Sequence, residues 1–183
     1  MTDNEIIVLI NSDNSAELQF QKCKIVTPAF IGKNGYTNNK QEGDGCTPIG
    51  EFSLGLMLGT HEEILNKNYD YAKINSNMYW VDDCNSKYYN TLVDITMVEK
   101  DWNSAEHLVD YPVQYEYLVE IKSNPLNVSG KGSAIFLHCS NNNATQGCVA
   151  INSKDMQMLV NNLDSNTKIK IITKSNINNV IIY

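Results

Sequence analysis

The N-terminal part of the chain carries short apolar runs of the kind that form β-strands. The β-branched run at residues 5–10 is followed by polar turn residues and predicts a buried strand. Residues 16–21 alternate apolar with polar side chains and predict its hairpin partner. Residues 24–31 predict a third strand, which Pro28 bends or confines to a sheet edge because proline cannot donate to a strand ladder. These three strands indicate a β-rich domain.

Further strands are predicted toward the C-terminus. Residues 132–137 predict a strand that ends at His138, and residues 147–151 predict a short buried strand that starts at Cys148. Residues 167–173 alternate Lys with Ile and predict a late strand, and the apolar run at residues 180–183 predicts another.

One amphipathic helix is predicted after residue 151. Residues 152–155 have the polar composition of a helix N-cap. Apolar residues then recur at i, i+3, i+4 and i+7, as Met156, Leu159, Val160 and Leu163, which is the spacing of one helix face.

Glycine is concentrated between residues 32 and 59. Such a segment predicts a long surface loop closed by turns, because glycine supplies the backbone conformations that turns require. A phosphate-binding loop is the other common interpretation. It is disfavoured here because neither the GxxxxGK[ST] nor the GxGxxG spacing is present.

Aromatic residues are concentrated between residues 69 and 117, which contain eight of the ten Tyr and both Trp. Two interpretations remain open. The rings either pack an inserted subdomain or line a groove, since flat amphipathic rings bind sugars and extended peptides at low entropic cost.

The length and composition limit the class of protein. A chain of 183 residues fits one domain, predicted over residues 1–183 with an aromatic-rich insertion at about residues 60–117. Its 14 basic residues are all Lys and face 21 acidic ones, for a net charge of -7. Binding of nucleic acid usually requires a positive surface with Arg, so no nucleic-acid partner is expected. No apolar run approaches the roughly 20 residues that cross a bilayer, so no membrane span is expected.

His138 and Cys148 are the candidates for catalysis. A free thiol is only slightly ionised at neutral pH, so a nucleophilic cysteine needs a base beside it, and a polar loop could bring His138 to Cys148. Gly147 would let a substrate approach the backbone closely. The amides around Gly147 and Cys148 would then form part of an oxyanion hole.

The residues alone leave other interpretations open. Both candidates could be buried packing residues, since free cysteine is among the most buried residue types. A metal site from His138, Cys139 and Cys148 is a second alternative, although the close ligand pair of zinc sites is missing. A disulfide between Cys139 and Cys148 is a third. The five scattered cysteines do exclude a full disulfide framework. His107 is either structural or reaches the site from the aromatic region.

Two separated motifs resemble the catalytic domain of the L,D-transpeptidase (YkuD-like) family. Residues 43–52, GDGCTPIGEF, are similar to its GDGxTPxGxF signature. His138 together with residues 145–148, TQGC, is similar to its active-site motif. Residues 80–90 and 104–108 resemble one branch of the family. The similarity covers about residues 25–172.

The resemblance implies a mainly β fold, a β-sandwich with a few short helices and the aromatic-rich insertion. It also implies an enzyme that acts on peptidoglycan stem peptides. Cys148 would attack the donor stem, form a thioester, release the terminal D-amino acid and pass the acyl group to an amine. His138 would be the general base, the backbone carbonyl of Cys139 would orient its ring, and Gly147 would lie beside the oxyanion hole.

Substrate contacts are expected from the motif and from the aromatic region. The expected substrate-binding residues are Thr145, Gln146, Tyr88, Trp80 and His107. No cofactor and no metal are expected. With no Arg in the chain, a substrate carboxylate would be held by Lys, hydroxyls or amides.

Two alternatives remain within this resemblance. An L,D-carboxypeptidase would use the same residues with water as the acceptor. A catalytically silent wall-binding module is suggested by Gln146 and Ala150, where many members have a His and an Arg. The spacing from His138 to Cys148 is also shorter than usual in the family.

The substrate implies an extracytoplasmic, cell-wall-associated enzyme. The first residues lack the basic and apolar regions of an export signal, which is typical of a mature or trimmed form. A cytoplasmic enzyme that acts on recycled fragments is the alternative.

Overall fold

A computed structural model describes residues 3–12 and 14–177. These residues form fourteen strands, two α-helices and three 3-10 turns (Gln21–Cys23, Leu108–Asp110 and Gln114–Glu116). The strands are β1 (Glu5–Ile10), β2 (Ala16–Phe20), β3 (Ile25–Ala29), β4 (Tyr36–Thr37), β5 (Thr47–Pro48), β6 (Gly50–Gly59), β7 (Tyr71–Lys73), β8 (Met78–Val81), β9 (Leu92–Asp94), β10 (Ala105–His107), β11 (Tyr117–Ile121), β12 (Phe136–Cys139), β13 (Val149–Ile151) and β14 (Lys168–Thr173). The helices are α1 (Ser153–Val160) and α2 (Lys174–Ile177). The predicted mainly β fold with a few short helices is confirmed.

One large sheet organises the molecule. Its strand order is β13-β12-β11-β6-β14-β1-β2-β3, with β7 beside β6. The two ends of this order meet, because the backbones of Phe30 and Ala150 exchange two hydrogen bonds of 2.8 and 2.9 Å. The sheet therefore curls around an apolar core to which α1 contributes one face.

The N-terminal strands and the helix follow the sequence pattern. β1 and β2 pair as an antiparallel hairpin, and β3 lies at the end of the strand order with Pro28 opposite Glu17. Asn152 caps α1 by accepting from the amide of Asp155 at 2.9 Å. The four predicted apolar positions of the helix region are all buried. The strand predicted at residues 180–183 lies outside the described residues.

Side-chain alternation divides the strands between two apolar clusters. In β12, Leu137 and Cys139 belong to the main core, whereas Phe136 belongs to a second cluster that also contains Trp80 and Tyr115. Because side chains alternate along a strand, His138 lies on the same face as Phe136. The second cluster also contains Cys148. The two candidate catalytic residues are thus placed on one side of the sheet.

Two sequence predictions are wrong in their boundaries. The glycine-rich segment does not remain a loop, because residues 50–59 form the long central strand β6. The side chain of buried Glu120 approaches the backbone of β6 at Gly55, and its carboxylate accepts from the Leu56 amide. A Cβ at position 55 would lie 2.1 Å from this carboxylate, so a glycine is needed there. The strand predicted at residues 132–137 begins only at Phe136, because Ala134 adopts a positive φ of 51°.

The aromatic-rich segment folds partly into a small three-stranded sheet, β10-β8-β9. Trp80 is 1% exposed and packs edge-to-face on Phe136 with ring centroids 4.9 Å apart. Trp102 is buried with Val81 in a third cluster. These rings support the packing interpretation rather than a groove lined by Trp.

The segment before this small sheet is tied to α1 by a buried amide. The side chain of Asn66 donates to the carbonyls of Val160 at 2.7 Å and Leu163 at 2.8 Å. These carbonyls belong to the end and the exit of α1, where helix carbonyls lack partners of their own.

We expect Asn66→Ala to lower the free energy of unfolding by about 1–3 kcal/mol, because it leaves two buried carbonyls without this hydrogen-bond donor. Urea denaturation monitored by circular dichroism measures this change. Asn162→Ala is the matched control, since its more accessible amide also donates to a helix carbonyl, that of Met158 at 2.8 Å. Equal losses in the two variants would contradict the role of burial.

Candidate active site

The two candidate catalytic residues lie on adjacent strands at one cleft. β12 and β13 run parallel, with His138 opposite Ala150, and Cys148 directly precedes β13. Both side chains line a cleft of about 250 Å³. Thr145 and Gln146, expected to bind substrate, line it as well. The sequence motif is therefore assembled into one site.

The thiol of Cys148 is buried and bonded to the neighbouring strand segment. Its Sγ accepts from the amide of Phe136 at 3.3 Å and donates to the carbonyl of Ala134 at 3.2 Å. Burial, followed by the negative charge of Glu106, raises the pKa of Cys148 to about 12. The amide of Phe136 and the charge of Lys40 act in the opposite direction. The resting residue is a thiol at neutral pH.

The ring of His138 is buried and fixed by its own strand. Nδ1 lies 2.8 Å from the backbone carbonyl of Cys139, as the resemblance implies. Because a carbonyl only accepts, Nδ1 carries the proton and Nε2 carries the lone pair of the neutral ring. Burial lowers the pKa of His138, which favours this neutral form. The edge-to-face contact with Tyr115, 5.7 Å between centroids, supports the ring.

Within the described residues, no hydrogen bond joins the Cys148 sulfur to His138. The sulfur is bonded to Phe136 and Ala134 instead, and the Nδ1 of His138 is bonded to Cys139. Catalytic hydrogen bonds often tighten only when substrate is bound, so a shared cleft is the relevant geometry.

The backbone of Cys148 is held by two threonine hydroxyls. The carbonyl of Cys148 accepts from Thr47 Oγ1 at 3.2 Å and from Thr145 Oγ1 at 2.7 Å. Thr47 is fully buried and its oxygen also accepts from the amide of Gly32 at 2.8 Å. Gly147, at a φ of 145°, donates its amide to Thr145 Oγ1 at 3.1 Å. The threonine of the glycine-rich motif thereby contacts the backbone of Cys148 directly.

The acidic residue of the same motif folds the loop beside the site. The carboxylate of Asp44 accepts from the amides of Gln41 and Cys46, each at 2.9 Å, and pairs with Lys40. The Lys40 ammonium lies 3.4 Å from where a Cβ of Gly147 would be. In a chain without Arg, the ion pair of Lys40 and Asp44 therefore lies beside Gly147.

Ala134 receives its position from the aromatic-rich segment. The side-chain oxygen of buried Asn90 accepts from the Ala134 amide and from the Trp80 indole, each at 3.1 Å. Non-glycine residues with positive φ persist only where the surroundings enforce them. The hydrogen bond to Asn90 helps to hold Ala134, whose carbonyl accepts from the thiol, in this conformation.

The expected substrate-binding residues outside the motif do not line the cleft. Trp80 is buried in the second cluster. Tyr88 packs edge-to-face on Trp102 at 5.8 Å. His107 stacks on Tyr79 at 4.3 Å and bonds the carbonyl of Ser76. All three side chains are held by packing against neighbouring residues.

Cys139 contributes only its backbone to the site. Its side chain is 1% exposed in the main core, on the opposite face of β12 from His138. All five cysteines are free, so the alternative disulfide between Cys139 and Cys148 is not formed. Among residues 3–12 and 14–177, no three His, Cys, Asp or Glu side chains are placed to hold a metal ion.

Sequence reasoning missed several cleft residues, some from the distant segment 106–115 and others from the loop between His138 and Thr145. These are Glu106, Tyr111, Gln114, Tyr115, Asn141 and Asn143. The hydroxyl of Tyr115 donates to the carboxyl of Glu106. Burial, together with the charges of Asp82 and Glu42, raises the pKa of Glu106 to about 7, although the Tyr115 bond opposes this shift. The only sequence signal was the similarity of residues 104–108 to one family branch, which did not single out Glu106.

Cross-strand pairing explains why Glu106 faces the cleft and His107 does not. Glu106 lies opposite Trp80, and His107 lies opposite Tyr79. Directly opposed residues share a face of the sheet, and successive residues alternate between faces. Trp80 faces the second cluster, so Glu106 faces the same side as Cys148.

Comparison with known proteins agrees with the motifs. The family model of the L,D-transpeptidase catalytic domain (YkuD) matches residues 4–171. The chain also matches the crystal structure of Mycobacterium tuberculosis L,D-transpeptidase 1, with 13% sequence identity and a TM-score of 0.36. That match covers 91% of this chain and 60% of the mycobacterial chain. No curated protein matches the sequence significantly.

The family match extends over most of the chain, so the protein belongs to the L,D-transpeptidase catalytic domain family, a family of enzymes. None of the helices formed by the described residues has the length and apolar character needed to cross a membrane.

The burial of the thiol predicts a steep pH dependence of its reactivity. Iodoacetamide reacts with the thiolate, and the pKa of Cys148 is about 12, so we expect its alkylation rate to rise about tenfold per pH unit from about pH 7 to about pH 10. Mass spectrometry of the Cys148 peptide measures the rate, with the Cys46 peptide as internal reference. A plateau below about pH 8 would show a thiolate already formed at rest.

Proposed function

We propose that the protein is a peptidoglycan L,D-transpeptidase with Cys148 as the nucleophile and His138 as the general base. The observation that carries this proposal is the convergence of the two residues on one cleft, with the Nδ1 proton of His138 committed to the Cys139 carbonyl. This leaves the basic nitrogen, Nε2, for the proton of a thiol.

Acylation begins from a neutral thiol and a neutral imidazole. The thiol leaves the carbonyl of Ala134 and transfers its proton to Nε2 of His138. The sulfur attacks the carbonyl carbon after the third stem residue, and the C–N bond to the terminal D-amino acid breaks. The imidazolium returns the proton to the leaving amine, which leaves a thioester on Cys148.

The Phe136 amide assists this step because it already points at the sulfur. A hydrogen bond to the ionised form lowers the pKa of a thiol, so the amide favours the thiolate when it forms. Lys40 acts in the same direction through its charge. The resting thiol is protected by burial, and its activation is coupled to the arrival of substrate.

The oxyanion of the tetrahedral intermediate requires donors near the sulfur. Gly147 was the expected neighbour, and its positive φ brings the backbone close to the site. Its amide is engaged by Thr145 Oγ1, so we assign the first donor to the Cys148 amide. Gly147 then acts by giving the loop its shape.

Substrate recognition differs from members that have an Arg after the nucleophile. Ala150 is 1% exposed and its backbone is bridged to Phe30, so a large cation would not fit at that position. Gln146 lines the cleft as an amide where many members have a His. Hydroxyl and amide groups, including Thr145 and Gln146, are proposed to bind the stem peptide.

We expect wild-type protein incubated with tetrapeptide stems to release the terminal D-amino acid and form cross-linked dimers, both detected by mass spectrometry. Cys148→Ala abolishes both products because no thioester forms. Cys46→Ala is the matched control, since Cys46 lies in the glycine-rich motif and bonds only backbone carbonyls through its sulfur. Activity retained in Cys148→Ala would refute the mechanism.

The same assay separates the alternative functions. An L,D-carboxypeptidase would accumulate monomeric tripeptide without dimers. A silent wall-binding module would give no product and no mass adduct at Cys148 with a carbapenem. The proposed peptidoglycan substrate also supports the proposal that the enzyme is extracytoplasmic and wall-associated.

A further inference from the structure

The cleft has an unusual charge for a site that binds peptides with free carboxylates. Of the residues that line it, Glu106 is the one carboxyl, and none is a Lys. The chain contains no Arg. Lys40 lies near Gly147 but is paired with Asp44 and is not part of the lining. A cationic group would therefore be attracted to this cleft.

Glu106 is connected to both candidate catalytic residues. The Tyr115 hydroxyl binds its carboxyl, and the Tyr115 ring packs against the ring of His138. The charge of Glu106 is felt at the sulfur, since it opposes ionisation of Cys148. A group bound at Glu106 is thus close to the position of the thioester.

A second carboxylate reinforces the negative potential around Glu106. The Oδ1 atom of Asp82 is buried and has no hydrogen-bond partner among the described residues. Asp82 and Glu42 both act electrostatically on Glu106 and disfavour its ionisation. A cation bound at Glu106 would relieve this repulsion, which favours cation binding by the ionised carboxyl.

We propose that Glu106 binds the ammonium group of the acyl acceptor and takes the proton that this group must lose before it attacks the Cys148 thioester. The inference rests on the proposed transpeptidase function and assigns to Glu106 the binding and deprotonation of the acceptor amine, which is cationic in solution. Glu106 would then favour transfer to amines over hydrolysis, since water carries no charge for it to bind.

The proton and bond changes balance without a further reactant. The ammonium gives one proton to the Glu106 carboxylate and becomes a neutral amine. Its nitrogen attacks the thioester carbonyl, the C–N bond forms and the C–S bond breaks. The second nitrogen proton passes to Nε2 of His138 and then to the departing sulfur of Cys148. The products are an amide and a free thiol.

The chemistry of Glu106 suits this role. Its pKa of about 7 makes it a stronger base than an exposed carboxylate. At neutral pH it is present in both forms, so it can accept a proton and release it in each cycle. The bond from Tyr115 holds the carboxyl in place between turnovers.

The test uses the full protein, a tetrapeptide donor and two acceptors at about pH 7.5. Nα-acetyl-lysine amide carries a cationic amine, whereas hydroxylamine is neutral at this pH. Mass spectrometry gives the ratio of aminolysis to hydrolysis for each acceptor. We expect Glu106→Gln to lower this ratio about tenfold or more for the lysine derivative. The ratio for hydroxylamine should change less than about twofold.

Asp110→Asn is the matched control, because Asp110 is an exposed carboxylate near His107 that does not line the cleft. It should leave both ratios unchanged. An unchanged ratio in Glu106→Gln, or an equal fall for both acceptors, would overturn the inference while leaving the transpeptidase function intact. Absence of a thioester in the wild-type protein would overturn the proposed function and this inference together.

Tyr115→Phe provides a second measurement that does not depend on the Glu106 variant. The Tyr115 bond lowers the pKa of Glu106, so its loss raises that pKa and delays formation of the carboxylate to higher pH. We expect the rise of lysine transfer with pH to move to higher pH, with no such movement for hydroxylamine. Coincident profiles for wild type and Tyr115→Phe would contradict the role of Glu106.

Discussion

The carbonyl oxygen of Cys148 is the point on which the site depends. Thr47 reaches it from the glycine-rich segment, and Thr145 reaches it from the loop that precedes Cys148. A main-chain oxygen with two hydroxyl donors has little freedom, so the backbone at Cys148 is fixed on both sides. Because the first segment lies far from the second in sequence, the bond to Thr47 also fixes how two distant parts of the fold meet.

Burial explains why Cys148 and His138 are both neutral at rest. Desolvation raises the pKa of the thiol and lowers that of the imidazole, so both charged forms are disfavoured. An ion pair between them would have to form in a nearly dry environment. The thiol instead donates a hydrogen bond to the carbonyl of Ala134.

Much of the fold could be predicted from the sequence because local pattern and burial agree in it. The hairpin of β1 and β2, the cap at Asn152 and the buried face of α1 all follow from period and composition. β6 could not be predicted in this way. Its glycines suggest turns, and it is the side chain of Glu120, more than sixty residues away, that shows why Gly55 is needed within the strand.

The candidate site was predictable where chemistry and motif coincide. Cys148 and His138 have side chains suited to catalysis and also belong to the family motif, and the structure places them at one cleft. Glu106 and Tyr115 were not predictable, because their relation to the cleft arises from pairing between β8 and β10 and from the packing of the second cluster. Trp80 was expected to bind substrate because a large ring suggests a binding surface, whereas in the structure its ring is buried in the core.

The shared oxygen of Asn90 has a consequence for how this enzyme could diverge. It accepts from Trp80 in the small sheet and from Ala134 beside the thiol, so one atom links the small sheet to the cleft. The small sheet is consequently not structurally independent of the cleft. A chimera that replaced it with the corresponding segment of a distant relative would disturb the carbonyl that holds the thiol, unless residues around 134 were exchanged with it. We therefore expect substitutions in one of these two stretches of chain to require compensating substitutions in the other.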